Sequence, residues 1–220
     1  MNHLTIGVRK SGRVWLPILF IAWFAAVLGL WAWLTTYSLT PGAKFAPPDL
    51  RSVRVPFETT GNRHLLVMAI HPKCPCSRAS VGELARLASR FRDELNCVVL
   101  TYQPHEQSAD WIETDLVASA RGLPNTMVLI DVDGRDAAAL GMNTSGAVVL
   151  YSPQGVPQFW GGITIGRGHY GDNLGSDAVI SVLDGGQLPQ ASQPVYGCRI
   201  QSDPEIDTDS PQRQGADDGH

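Results

Sequence analysis

No acidic residue precedes Asp49, in a chain of 220 residues that otherwise carries more acid than base. Cysteine is also scarce: Cys74, Cys76, Cys97 and Cys198 are the whole complement. Four are too few for a disulfide framework in a domain of this size, so the fold must rest on a hydrophobic core. No basic patch offers a footprint for nucleic acid, which sets that class of partner aside. No internal repeat is visible.

The acid-free segment holds the longest apolar run. Val14 to Leu34 is 21 residues without a charge, and its only hydrogen-bonding side chains are the indoles of Trp15, Trp23, Trp31 and Trp33. A helix of that length spans the roughly 30 Å hydrocarbon core of a bilayer. Trp15 at one end and Trp31, Trp33 and Tyr37 at the other suit the interfacial belts. A cleaved signal peptide is the competing reading, but its apolar core is shorter, and Ala43 or Ala46 makes only a poor cleavage site. The sequence therefore predicts a cytoplasmic N-terminus over 1–13 and an uncleaved transmembrane anchor over 14–37. Because Arg9, Lys10 and Arg13 precede the span, the remainder is expected outside, periplasmic or extracellular. Removing those three basic residues from the formal charge of −4 leaves about −7 for the exported part.

Residues 38–57 carry Pro41, Gly42, Pro47, Pro48 and Pro56 and read as a spacer. Strand-like and helix-like segments then alternate over 58–201. Strands are expected at Leu65–Ile70, Cys97–Tyr102 and Thr126–Ile130, and a hairpin at Ala147–Tyr151 and Val156–Trp160. Helices are expected from Ser77 to about Arg92, from a cap at Ser108 or Asp110 to about Ala120, at about Arg135–Gly141, and from Asp177 to Asp184. Residues 202–220 hold six acids, one arginine and no aromatic, and read as a disordered acidic tail. The order argues for an α/β domain with a mixed sheet flanked by helices.

The candidate site is Cys74-Pro75-Cys76, which follows the apolar run Leu65–Ile70 and opens a helix. A helix N-terminus presents unpaired N–H groups and partial positive charge, which stabilise thiolate over thiol. Thiolate is the form that attacks disulfides and binds soft metals. The plainer alternative is a pair of ordinary half-buried cysteines. Cys97 lies in a buried strand, where packing is its default role. Cys198, in Tyr196-Gly197-Cys198, reads as a surface or packing thiol, with a resolving role as the alternative. Arg78 in the first helical turn is an accessory candidate for stabilising a thiolate.

This order of elements resembles the thioredoxin-like superfamily, and in layout its membrane-tethered TlpA-like and peroxiredoxin-like branch, over roughly residues 55–187. The resemblance implies thiol–disulfide exchange, with Cys74 as attacking thiol and Cys76 as resolving thiol. The implied partners are exported protein thiols or disulfides and a membrane-linked redox partner. Two departures stand out. The family's cysteines are separated by two residues, here by one. Where the family has a cis-proline facing the cysteines, this chain has Thr144-Ser145-Gly146, which makes Ser145 an accessory candidate.

A metal site is the rival reading. His71, Cys74 and Cys76 offer one imidazole and two thiolates within six residues, a donor set that suits Cu(I) or Zn(II). Some anchored thioredoxin-like proteins are copper chaperones with a distant histidine, a part that His169 or His105 would play here. A non-catalytic interaction domain is the third possibility. Gly166-Arg167-Gly168-His169-Tyr170-Gly171 matches a dinucleotide fingerprint, but only one short helix and the tail follow it. It reads as a glycine-rich loop that can rim the cysteine site.

Overall fold

β1 (His64–Ile70) is buried at every position after His64, as expected of a strand covered on both faces. In this computed structural model, which describes residues 15–186 and 190–201, β1 is the central strand of five. On one side it pairs in parallel with β2 (Leu95–Gln103), and β2 pairs in parallel with β3 (Thr126–Val132). On the other side it pairs antiparallel with β4 (Ala147–Tyr151), and β4 antiparallel with β5 (Pro157–Gly162). The sheet order is therefore β3-β2-β1-β4-β5, which bears out the expected mixed sheet.

The two-residue period of β1 divides the core. Leu66, Met68 and Ile70 face α2 (Ser77–Arg90), α3 (Asp115–Arg121) and α5 (Leu174–Leu183). Leu65, Val67 and Ala69 face a second layer formed by α4 (Arg135–Ala139), Leu140, Met142 and Tyr151. Each fully buried aliphatic side chain contributes roughly 1.5–3 kcal/mol. α2 meets the sheet through Val81, Leu84, Leu87 and Ala88, the stripe read from the sequence.

Several boundaries differ from the expected ones. The helix expected from Ser108 or Asp110 is broken. Ala109–Ile112 forms a tight turn of 3-10 helix, and Thr114 then starts α3 by accepting from Val117 N–H through its hydroxyl at 3.4 Å. α5 begins at Leu174, before the expected Asp177, because Asn173 caps it by accepting from Ser176 N–H at 2.8 Å.

The spacer does not stand free of the domain. Leu50 is buried in the second core layer, with Phe45, Val53, Val55 and Phe57 packed around it. Before it, α1 (Trp15–Leu39) is apolar, with a mean hydropathy of 2.1 over its most apolar window and no buried residue. It is long enough to cross a membrane. The expected cytoplasmic N-terminus over 1–13 and the acidic tail over 202–220 lie outside the described residues.

The chain after α5 returns along the edge of the sheet. Trp160 and Ser192 form a parallel bridge, with Trp160 N–H donating to Ala191 C=O and Gln193 N–H to Trp160 C=O. Gly161 permits this. Its φ is +136°, and a Cβ there would lie 2.1 Å from the Gln193 carbonyl oxygen. The segment then crosses to Thr144, which forms an antiparallel bridge with Arg199.

Candidate thiol centre

β1 delivers the chain into a tight turn at His71–Cys76. Cys74 N–H donates to His71 C=O at 3.0 Å, and Cys74 C=O accepts from Ser77 N–H at 3.2 Å. Cys76 occupies the N-cap position of α2 but already has helical angles, φ −66° and ψ −29°. Cys74 therefore sits at the positive end of α2, where the N–H groups of Ser77, Arg78 and Ala79 close back on the carbonyls of Cys74, Pro75 and Cys76.

The third sulfur comes from the far end of the chain. Cys74 Sγ donates to Cys198 Sγ at 2.9 Å while both are thiols, and the sulfurs of Cys74, Cys76 and Cys198 all lie within 4.8 Å of one another. The reading of Cys198 as a surface or packing thiol is thus corrected. The return along β5 that brings it here depends on pairing of strands far apart in sequence, which a local pattern does not carry.

The three thiols are electrostatically unequal. Burial opposes ionisation of Cys74, but hydrogen bonds from Cys198 and Ser77 outweigh it and hold the thiol below its ordinary value. Burial raises Cys76, and the neighbouring Cys74 charge adds to that. Cys198 is pushed up to about 12, first by burial and then by its hydrogen bond and charge contact with Cys74. Arg167 pulls the other way on both Cys76 and Cys198. One thiolate, on Cys74, is the arrangement the cluster favours. Access is ordered inversely, since Cys74 is only 3% exposed while Cys76 and Cys198 are partly exposed.

Ser145 stands beside this centre. Its hydroxyl accepts from His71 N–H at 2.7 Å and shares a hydrogen bond with the Ser77 hydroxyl at 2.6 Å. Its own N–H donates to Cys198 C=O at 2.8 Å. Thr144–Gly146 therefore holds the Cys198 segment, and there is no cis peptide among the described residues. Arg167, in the glycine-rich loop, donates to Gly197 C=O and, at 3.4 Å, to Thr40 C=O. The loop rims the site through this arginine, which the sequence reading named only as part of a motif.

Other candidates are placed elsewhere. His71 lies outside the sulfur cluster. Its Nδ1 accepts from Lys73 N–H at 3.2 Å, and its ring packs against Tyr102 and Trp111. Burial, then the Lys73 charge, lower its pKa and keep it neutral. Arg78 turns to Asp115 at 3.6 Å. His169 donates through Nδ1 to the Arg167 carbonyl at 2.8 Å, and its loop lies against Ser38 and Leu39 at the end of α1. His105 pairs with Asp133 at 3.0 Å. Cys97 is buried in β2, its thiol pushed up to about 12 by burial, as a packing residue should be.

A mixed sheet of this order, with a helix and cysteines directly after the central strand, defines a thioredoxin-like fold. Among solved structures, the chain is similar to an uncharacterized conserved protein from Geobacillus kaustophilus. That match has 18% identity and a TM-score of 0.55, and covers 76% of this chain and 93% of the other. It is likewise similar to a hypothetical protein from Sinorhizobium meliloti, at 22% identity and a TM-score of 0.54, covering 76% and 96%. A secreted Mycobacterium tuberculosis disulfide oxidoreductase aligns with 56% of the chain and 82% of its own length, at 15% identity and a TM-score of 0.41. No protein-family profile and no curated protein sequence matches.

Proposed function

We propose that this protein is a membrane-anchored, exported thiol–disulfide exchange protein whose reactive centre is the Cys74 thiolate. The observation that carries the reading is the 2.9 Å contact between Cys74 and Cys198 sulfurs at the start of α2, with Cys74 as the more acidic thiol. A stabilised thiolate is both a competent nucleophile and a good leaving group, so a centre of this kind exchanges disulfides in either direction. α1 anchors the domain, with its basic flank in the cytoplasm. The partners are thiols or disulfides of exported proteins and a membrane-linked redox protein that resets the centre.

Redox titration of the full chain in detergent, in glutathione buffers, tests this. A reversible two-electron couple is expected, and Cys74→Ser should abolish it. A couple that survives Cys74→Ser, or no couple at all, removes the basis of the proposal.

A second reading is favoured by the same cluster. Three thiolate sulfurs within 4.8 Å suit a soft ion such as Cu(I) or Zn(II), with Cys198 in place of the histidine expected from sequence. Such an ion would draw the protons from all three thiols and hold them as ligands. Stoichiometric Cu(I) held against a chelator by the reduced chain, and lost in Cys198→Ser but not in His71→Ala, would favour this use of the site.

A further inference from the structure

We propose that Cys198, rather than Cys76, is the disulfide partner of Cys74, and that Cys198 is the sulfur a substrate meets. This rests on the exchange reading above and adds the identity of the second thiol.

Geometry separates the two candidates. Cys76 is two residues from Cys74, and its backbone is already helical, with Ala79 N–H donating to its carbonyl at 3.3 Å. The two sulfurs lie within 4.8 Å of one another, but residues two apart in a helical turn are splayed by the backbone, so the remaining gap closes to a bond only if the turn changes. A Cys74–Cys76 bond therefore requires opening the first turn of α2, together with the Ser77 and Ala79 N–H bonds that close it. Cys198 imposes no such cost. Its sulfur is already 2.9 Å from that of Cys74, against about 2.05 Å in a disulfide.

The segment that carries Cys198 is built into the fold. Val195 and Ile200, on either side, are both buried in the second core layer. Ser145 N–H binds Cys198 C=O, Ile200 N–H binds Asn143 C=O, and Gly42 N–H binds Val195 C=O. Gly197 has no room for a side chain, since a Cβ would lie 1.8 Å from the Ser145 carbonyl oxygen. The Cys198 sulfur is thus held over Cys74, with Cys74 beneath and Cys198 toward solvent.

Exposure then assigns the roles. In the oxidised protein a thiolate of a dithiol substrate attacks Cys198 Sγ. The new bond joins the substrate sulfur to Cys198, and the Cys74–Cys198 bond breaks. Its electron pair leaves on Cys74, where Ser77 and the helix N-terminus stabilise it. The second substrate thiolate attacks the first substrate sulfur and releases Cys198, which takes up a proton. The substrate is oxidised to a disulfide and the protein is reduced to a dithiol, so electrons balance without a further reagent. A stabilised leaving thiolate favours this direction, because stabilising the reduced form makes the disulfide a stronger oxidant. An exported disulfide-bearing partner returns the protein to the oxidised state by the reverse steps.

Trypsin cuts after Lys73 and Arg78, so Cys74 and Cys76 share one peptide and Cys198 lies in another. The full chain, oxidised with glutathione disulfide in detergent, quenched in acid and mapped by mass spectrometry, should give a cross-link between these two peptides. The cross-link should persist in Cys76→Ser. Oxidised Cys74→Ser, which cannot complete the internal step, should retain glutathione on Cys198. An internal disulfide within the Cys74 peptide, a cross-link lost in Cys76→Ser, or a glutathione adduct confined to Cys76 would each overturn the assignment. The two proposals fail separately. A two-electron couple that persists in Cys198→Ser but not in Cys74→Ser refutes the role of Cys198 and leaves exchange standing, whereas one that persists in Cys74→Ser refutes exchange itself.

Discussion

A shared proton distinguishes the residues of the thiol centre. Cys74 donates it while both groups are thiols, and once Cys74 ionises Cys198 becomes the donor, so the contact favours the Cys74 thiolate and holds Cys198 near 12. The consequence for stability follows from linkage. In the unfolded chain each thiol titrates at about 8.5. Between the depressed native value of Cys74 and about pH 8, the unfolded state binds more protons, so the reduced protein gains stability as pH rises. Above about pH 8 the sign reverses. Cys76, Cys97 and Cys198 are all raised, the unfolded state ionises first, and stability is lost. Urea midpoints of the reduced chain should therefore peak at about pH 8, below the free-thiol value, because three raised thiols outweigh one depressed thiol once about a quarter of the unfolded thiols have ionised. Cys74→Ser should remove the rise just below the peak and keep the fall due to Cys97. Identical profiles for the two proteins would show that Cys74 is not acidified. The acidic thiol was legible in the sequence, because an apolar run, closely spaced cysteines and a helical stripe are all local. His71 and Arg78 share the right neighbourhood in sequence and His169 is the distant histidine, but their side chains are taken by Lys73 and two aromatic rings, by Asp115, and by a carbonyl of the same loop.

At the scale of elements, β1, α2 and β2 follow from periodicity, and so does the antiparallel pair β4 and β5 around Ser152–Gly155. The segment 190–200 does not. It forms no helix and no strand of its own, and it takes its course from single bridges to Trp160 and Thr144. Nothing in its own pattern announces those partners, and so the sequence reads the third sulfur as a surface or packing thiol, with a resolving role only as the alternative. Gly161 and Gly162 hinted at a close backbone approach, and the approach is this segment. Gly197 gives a direct test of its importance. Gly197→Ala sets a Cβ against the Ser145 carbonyl and must push the segment off Thr144. Cys198 should then leave Cys74, the oxidised cross-link should fall several-fold in yield, and Cys74 should become open to small alkylating reagents. The fold should survive, because the displaced contacts lie at one edge. Unchanged cross-linking would mean that the segment is not positioned by this contact.

Across the whole molecule, the apolar α1 and the thioredoxin-like domain are joined without a free spacer, since Phe45 and Leu50 pack into the second core layer. If α1 is anchored with its basic flank inside, protease added to spheroplasts should digest the domain and leave a membrane-protected fragment ending near Leu39. A domain protected until the membrane is lysed would reverse the orientation. The link between anchor and thiol centre is tighter still. Arg167 N–H donates to Ser38 C=O at 3.0 Å, its guanidinium lies over the Tyr37 ring, and the same side chain holds the Gly197 carbonyl beside Cys198. The last turn of α1 and the Cys198 segment thus share one arginine. A domain on a loose tether would sweep a hemisphere and meet thiols at any height above the bilayer. With α1 spanning a bilayer, as proposed, this one would carry its sulfurs at a fixed level near the lipid headgroups, and its encounters would be confined to a thin layer parallel to the membrane. Within that layer, other anchored chains have a high effective concentration and freely diffusing proteins have little advantage. An anchored chain of this build would be suited to neighbours embedded in the same bilayer.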